Sequence, residues 1–220
     1  IASFYAMWYG IQYGFSAGSW LLFFMVFLAA TLGITVGYHR LFTHGSFECA
    51  WPLKLLFLIG GSLQLQGSAI AWAANHRIHH KYVDREGDVH SPREGFWWAH
   101  MKWFLMKHEI PNLRTTCPDL LKDGLIASQQ SWWWCAGIMG FVIPLLVCGW
   151  EGLLLAGALR FFIISHAIWA INSICHMWGA RPYNTKDMST NNLFLAWCIP
   201  SGEPFHNNHH ADPKCAYLGW

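Results

Sequence analysis

The amino-acid sequence predicts an all-α integral membrane protein: a four-span helical bundle with a cytosolic helical cap that holds a di-metal histidine site. Three observations predict it. Hydrophobic residues make up 54% of the 220 and charged residues 12%, about half the charged share of a soluble domain. Long stretches carry no Asp, Glu, Lys or Arg, the first running from Ile1 to Tyr38. Thirteen histidines, against 14 Lys and Arg together, gather in clusters rather than scatter. The 15 Trp suit anchoring at membrane interfaces. A net charge of +2 offers no basic field for nucleic acid. The seven cysteines form no CxxC pair, which points to reduced thiols and away from a disulfide framework or an iron–sulfur centre.

Taken in order, residues 1–13 are apolar but too few to cross a bilayer. With no basic segment before them they are not expected to be an intact signal peptide, and they are expected to be the end of a truncated first span. Trp20–Tyr38 has 19 residues, about 28 Å as a helix, which matches a bilayer core. Leu55–Ala74 is also uncharged, yet Ser62, Gln64, Gln66 and Ser68 break its apolar character. Residues 76–122 hold eight of the 14 cations, so this stretch is expected in water, on the cytoplasmic face. Within it Cys117 reads as an accessible thiol. Span 132–149 is expected to kink at Pro144. Span 153–173, interrupted only by Arg160 and His166, follows through the Cys148–Gly152 link as a hairpin. Residues 39–122 and 177–220 make the cap of a single domain.

Four clusters carry the chemistry: His39-Arg-Leu-Phe-Thr-His44, His76-Arg-Ile-His79-His80, Asn172-Ser-Ile-Cys-His176 and His206-Asn-Asn-His209-His210. Positions i, i+3 and i+4 share a helical face. The spacing therefore groups His76, His79 and His80, groups His206, His209 and His210, and pairs Asn172 with His176. Pro204 stands where a helix start tolerates it. Nine imidazoles exceed what one four-coordinate zinc takes. Two metals would receive four or five each, and imidazole suits iron, copper and zinc. His90, His100, His108 and His166 lie outside the clusters and read as ordinary hydrogen-bonded polar residues.

Clusters that meet must share one side of the bilayer. From His80 to His176 the chain crosses twice, through the hairpin. From His44 to His76 it must cross an even number of times, so Leu55–Ala74 is expected to pack at the surface without traversing.

Soluble di-iron bundles use Glu-x-x-His pairs, and only Glu203-x-x-His206 fits that pattern here. That family is rejected. No HExxH motif, Gly-rich nucleotide loop, flavin or haem signature is present. An all-imidazole dinuclear site in a membrane suggests oxygen activation on a lipid-like substrate, with electrons supplied from outside.

The boxes HRLFTH, HRIHH and HNNHH, with NSICH between them, resemble those of the membrane-bound fatty acyl desaturases, in the delta-9 (stearoyl-type) branch. The flanking stretches Leu32–Arg40, Asp84–Pro92, Gly95–Trp98 and Arg181–Tyr183 agree, so the resemblance covers most of residues 30–212. It implies two iron ions bound by His39, His44, His76, His79, His80, His176, His206, His209 and His210, with Asn172 holding one metal through water. Zinc would be the substitute in an overexpressed preparation. It implies an O2-dependent insertion of a cis double bond into a saturated acyl chain, carried by CoA or by a lipid. The electrons would come from a b-type cytochrome or a ferredoxin. It also implies four spans under a cytosolic cap, and a bent substrate tunnel lined by Trp72, Gln66 and Trp169. Ile168 stands at the bend, where the family usually carries Thr. Gly45 and Pro204 also depart from the usual residues. Ala74 and Asn75 replace the Arg and Asp of acyl-CoA-using members, which keeps a lipid-linked chain open.

Two other readings compete. A di-iron hydroxylase or related oxygenase could use the same site, and its product would gain an oxygen instead of losing two hydrogens. A histidine-rich metal transporter would place its ligands near the bilayer midplane, whereas these clusters sit at span ends beside charged loops.

Overall fold

The computed structural model describes residues 1–106 and 111–219. His108, with the rest of 107–110 of the expected cap, and Trp220 lie outside the described residues. The described residues are helical, and the only extended pairing among them is a pair of isolated bridges joining Asn191 to Ala180 and to Phe205. They divide into two compact units. Helices are numbered in chain order.

The first unit comprises residues 1–38, 49–69 and 123–165. It opens with α1 (Ala2–Tyr13) and α2 (Ala17–Leu32), the latter begun by the Ser16 side chain accepting from Ser19 N–H. From α2 the helix runs on as a π-helix over Gly33–Thr43. Next comes α3 (Trp51–Ser62), with proline in its first turn. Its 12 residues span about 18 Å, short of the ~30 Å of a bilayer core. Leu65 (φ 51°) and Gly67 (φ 96°) then break the helix, so the expected Leu55–Ala74 element is two helices with a turn between them. The long α8 (Gly124–Gly152) is capped by Asp123, whose carboxylate accepts from Leu125 and Ile126 N–H and pairs with Lys54 at 2.5 Å. A π-helical stretch, Leu153–Leu159, leads into α9 (Arg160–Ser173).

Among the described residues two helical stretches are long and apolar enough to cross a membrane, Ala17–Thr43 and Gly124–His176. The second is interrupted by non-helical backbone at Cys148 and Gly149 (φ 59°). The break expected at Pro144 thus falls four residues later. Pro144 stays inside the helix because its defect is repaired. Proline has no N–H for the carbonyl four residues back, here Gly140, and the buried Arg160 donates Nη2 to that oxygen at 3.2 Å. Arg160 also donates Nη1 to Leu63 O at 2.9 Å, serving the frayed end of α3, and Nε to Ala156 O at 2.8 Å. A cation inside an apolar run is explained by carbonyls that lost their own partners. Outward-facing Leu21, Phe24, Leu28, Leu146 and Val147 are exposed, as side chains in contact with lipid can be.

The second unit comprises residues 39–48, 70–122 and 166 onward. It is built on α4 (Ala69–Tyr82), with the short helices α5 (Trp103–Leu105), α6 (Leu113–Thr116), α7 (Pro118–Lys122), α10 (Leu193–Cys198) and α11 (His206–Ala211) around it. Arg77 of α4 ties three segments together. It donates to Phe42 O and Thr43 O, to Thr116 O, and to both oxygens of Asp119 at 2.7 and 2.8 Å. Cys117, expected to be accessible, is fully buried with Sγ 3.9 Å from Ile70 O. It lies between α6 and α7, where Arg77 draws the chain onto α4.

Candidate metal centre

The nine clustered histidines fall into two groups within the second unit. His39, His44, His76, His80 and His209 form one; His79, His176, His206 and His210 form the other. Within each group one ring nitrogen per residue lies within 4.8 Å of all the others. The α-helical spacing holds for α4 and for α11. Elsewhere the backbone departs from an α-helix. His44 N–H bonds His39 O at 3.3 Å, a π-type i→i+5 closure, which brings two rings that α-helical spacing would separate edge to face with centroids 5.0 Å apart. Ile174–His176 tightens to a 3₁₀ turn after α9, so Asn172 and His176 are not the α-helical pair expected. Asn172 is half-buried.

Carboxylates hold the outer nitrogens. Nδ1–H of His39 donates to Glu203 at 2.7 Å, His79 to Asp88 at 2.9 Å, His176 to Asp84 at 3.1 Å and His210 to Asp187 at 3.1 Å. Ligating imidazoles are commonly oriented this way. Each such bond fixes the tautomer and leaves a lone pair on Nε2. In the four-histidine group, the lone pairs of His176 and His210 both point at His206 Nε2, each at 3.1 Å. His206 can donate one proton there and no more, and its Nδ1 has no partner. At least one pair of nitrogens therefore faces lone pair to lone pair. In the five-histidine group Nε2 of His209 lies 3.0 Å from that of His39 and 2.9 Å from that of His80, which is 3.1 Å from that of His76. Two nitrogens sharing a cation at about 2.1 Å would be roughly 3.0–3.4 Å apart. The donor set fits two metal ions. Burial, reinforced by neighbouring imidazoles, pushes His76, His79, His80, His206 and His209 well below the usual histidine value, and His44 to about 2. Those six rings are held neutral, as ligands must be.

Glu203, which sequence reasoning weighed only as a ligand of the soluble type, instead supports His39 and takes Arg40 at 2.8 Å. Asp84, Asp88 and Asp187 were not singled out by spacing. The signal was present in the Asp84–Asp88 stretch, which starts two residues after α4. Of the isolated histidines, His100 is hydrogen-bonded as expected, to Ser173 Oγ and to His166, both at 3.0 Å. His90 departs: it is buried, its Nδ1 has no hydrogen-bond partner, and its ring lies over His79 with centroids 4.2 Å apart.

Among the expected tunnel residues, Trp72 stacks on His76 at 5.1 Å and meets His39 edge-on at 6.0 Å. Trp169 is buried against Phe104 and His166, its indole N–H without a partner. Ile168 beside it is half-buried. Gln66, also half-buried, belongs to the first unit.

The fatty acid desaturase family model matches residues 4–218. The chain is similar to icosanoyl-CoA 5-desaturase of Limnanthes douglasii, 39% identical over 205 residues, covering 91% of this chain and 57% of the relative. It is 38% identical to acyl-CoA desaturase 1 of Saccharomyces cerevisiae over 203 residues, 86% of this chain and 39% of the relative. It is 33% identical to acyl-CoA Delta(11) desaturase of Trichoplusia ni over 228 residues, 96% of this chain and 65% of the relative. The chain thus spans less than two thirds of the length of each of these three. With the family match running almost end to end through all four histidine boxes, the chain belongs to the fatty acid desaturase family.

Proposed function

We propose that the protein is an O2-dependent fatty acyl desaturase that inserts a cis double bond at the delta-9 position of a saturated chain. The observation that carries this reading is the division of nine buried or half-buried imidazoles into a five and a four, with one ring nitrogen of each residue converging in its group. His39, His44, His76, His80 and His209 would hold one iron. His79, His176, His206 and His210 would hold the other, with Asn172 reaching it through water. Bound iron would activate O2, the oxidant, for removing hydrogen from two adjacent methylenes. The reaction balances when O2 takes those two hydrogens, two external electrons and two protons to give two waters. A b-type cytochrome or a ferredoxin would deliver the electrons. The protein's part is to position one C–C bond and exclude water. Trp72, Gln66, Ile168 and Trp169 are assigned to the tunnel wall.

Expression in a host lacking its own delta-9 desaturase, followed by location of the double bond in the cellular fatty acids, tests the reading. A hydroxylated product would move it to the oxygenase alternative, and absence of any new product would overturn it. The names of relatives include positions 5 and 11, so the bend decides the outcome. Ile168 lacks the hydroxyl that the family usually presents at its position. Ile168→Thr is expected to shift the product position or the preferred chain length. If neither moves, Ile168 does not help set where the double bond falls.

We further propose a site on the cytoplasmic side of a four-span protein, supported by the Lys and Arg content of residues 76–122. Exposed Cys198 and half-buried Cys215 of the second unit provide the handles that buried Cys117 does not. An impermeant thiol reagent is expected to label them only after cells are permeabilised. In a Cys148→Ser variant, which removes the half-buried thiol of the hairpin link, labelling of Cys198 or Cys215 in intact cells would reverse the topology.

A further inference from the structure

The supporting carboxylates are shared unevenly between the two histidine groups. In the four-histidine group three imidazoles of four donate to a carboxylate: His79 to Asp88, His176 to Asp84 and His210 to Asp187. In the five-histidine group, among the described residues, only His39 does so, to Glu203. Glu203 is itself balanced by Arg40 at 2.8 Å. Among the described residues no Lys or Arg pairs with Asp84, Asp88 or Asp187. Their other bonds come from neutral donors: Met188 N–H on Asp84, Asp84 and His90 N–H on Asp88, and Ser189 and the Thr185 hydroxyl on Asp187. The loop after α4 is shaped for this. Asp84 adopts φ 54° and Gly87 φ 95°, and the resulting turn aims two carboxylates at two different imidazoles.

We infer that the two metal positions are unequal, the four-histidine position retaining its ion and the five-histidine position exchanging it. This rests on the metal-centre reading above. A carboxylate on the outer nitrogen raises the basicity of a ligating imidazole and fixes its orientation, and losing one such partner typically costs 10–100-fold in metal affinity. Two more partners give the four-histidine position an advantage of roughly 10²–10⁴-fold. The fifth imidazole of the other group works in the opposite direction, but it adds a neutral donor where water could serve. The carboxyl groups differ in their cation partners: three with no Lys or Arg on one side, against one paired with Arg40 on the other. In a buried site such charges are weakly screened.

The test is iron release. Protein loaded anaerobically with two Fe(II) per chain is challenged with excess ferrous chelator, and retained iron is counted against time. Two phases of one iron each are expected, separated by roughly 100-fold or more. Asp88→Asn and Asp187→Asn should each speed the slow phase about 10–100-fold and leave the fast phase alone. Glu203→Gln should speed only the fast phase. Both Asp variants are used so that one remains if the other fails to fold, judged by monodispersity and helical content. Release of both ions in a single phase overturns the inequality while the metal centre stands. So does a slow phase that ignores both Asp variants. Protein that takes up no iron overturns the metal-centre reading, and this inference with it.

Discussion

His209→Ala is expected to reduce turnover to background and metal content from two ions per chain to one, while the protein remains folded in the membrane. His209 Nε2 faces two other ring nitrogens of its group, at 2.9 and 3.0 Å, so its removal breaks the five-histidine set at its middle. The apolar runs that insert the chain lie elsewhere, which is why membrane content should not fall. His79→Ala is expected to abolish turnover too, with an added stability cost. Asp88 would lose its imidazole partner inside the protein, and a buried acceptor left short costs about 1–3 kcal/mol. Metal analysis, thermal unfolding in detergent and product assay separate these effects. Retained turnover in either variant would remove that residue from the ligand set.

The contrast between these two residues marks what spacing alone can reveal. The i, i+3, i+4 rule placed His76, His79 and His80 on α4, and His206, His209 and His210 on α11, because both boxes occupy regular α-helix. It could not align His39 with His44, since only the π-type bond between them brings those rings together. Nor could it foresee the 3₁₀ turn that ends at His176. The supporting acids were less legible still. Asp88 is nine residues from His79, but Asp84 is 92 from His176 and Asp187 is 23 from His210. Such partners are joined by tertiary folding and leave no period in the sequence. Arg160 is the converse case. As a lone charge it interrupts an apolar run, and its reason appears only when Pro144, 16 positions earlier, is seen to orphan Gly140 O. The ligands are local in sequence; what orients them is not.

Gly33→Ala is expected to be among the most damaging small changes in the chain, costing about 3 kcal/mol or more, read as a lower Tm and lost monodispersity in detergent. The backbone gives no reason for it, since Gly33 has ordinary helical angles of φ −59° and ψ −41°. Space gives the reason. A Cβ on Gly33 would collide with Gly61 N and the carbonyl carbon of Gly60, on the facing turn of α3. One on Gly60 would strike Ala29 O, and one on Gly61 the Tyr38 ring. The two helices approach backbone to backbone through these glycines, as small residues permit inside a membrane. Atoms of a neighbouring backbone cannot rotate away as a side chain can, so relief requires the helices to part. The control is Gly18→Ala in α2. Its nearest new neighbour is Cys148 Sγ at 4.0 Å, and its effect should stay within about 0.5 kcal/mol. If the two variants melt together, the close approach at Gly33 does not hold this pair of helices.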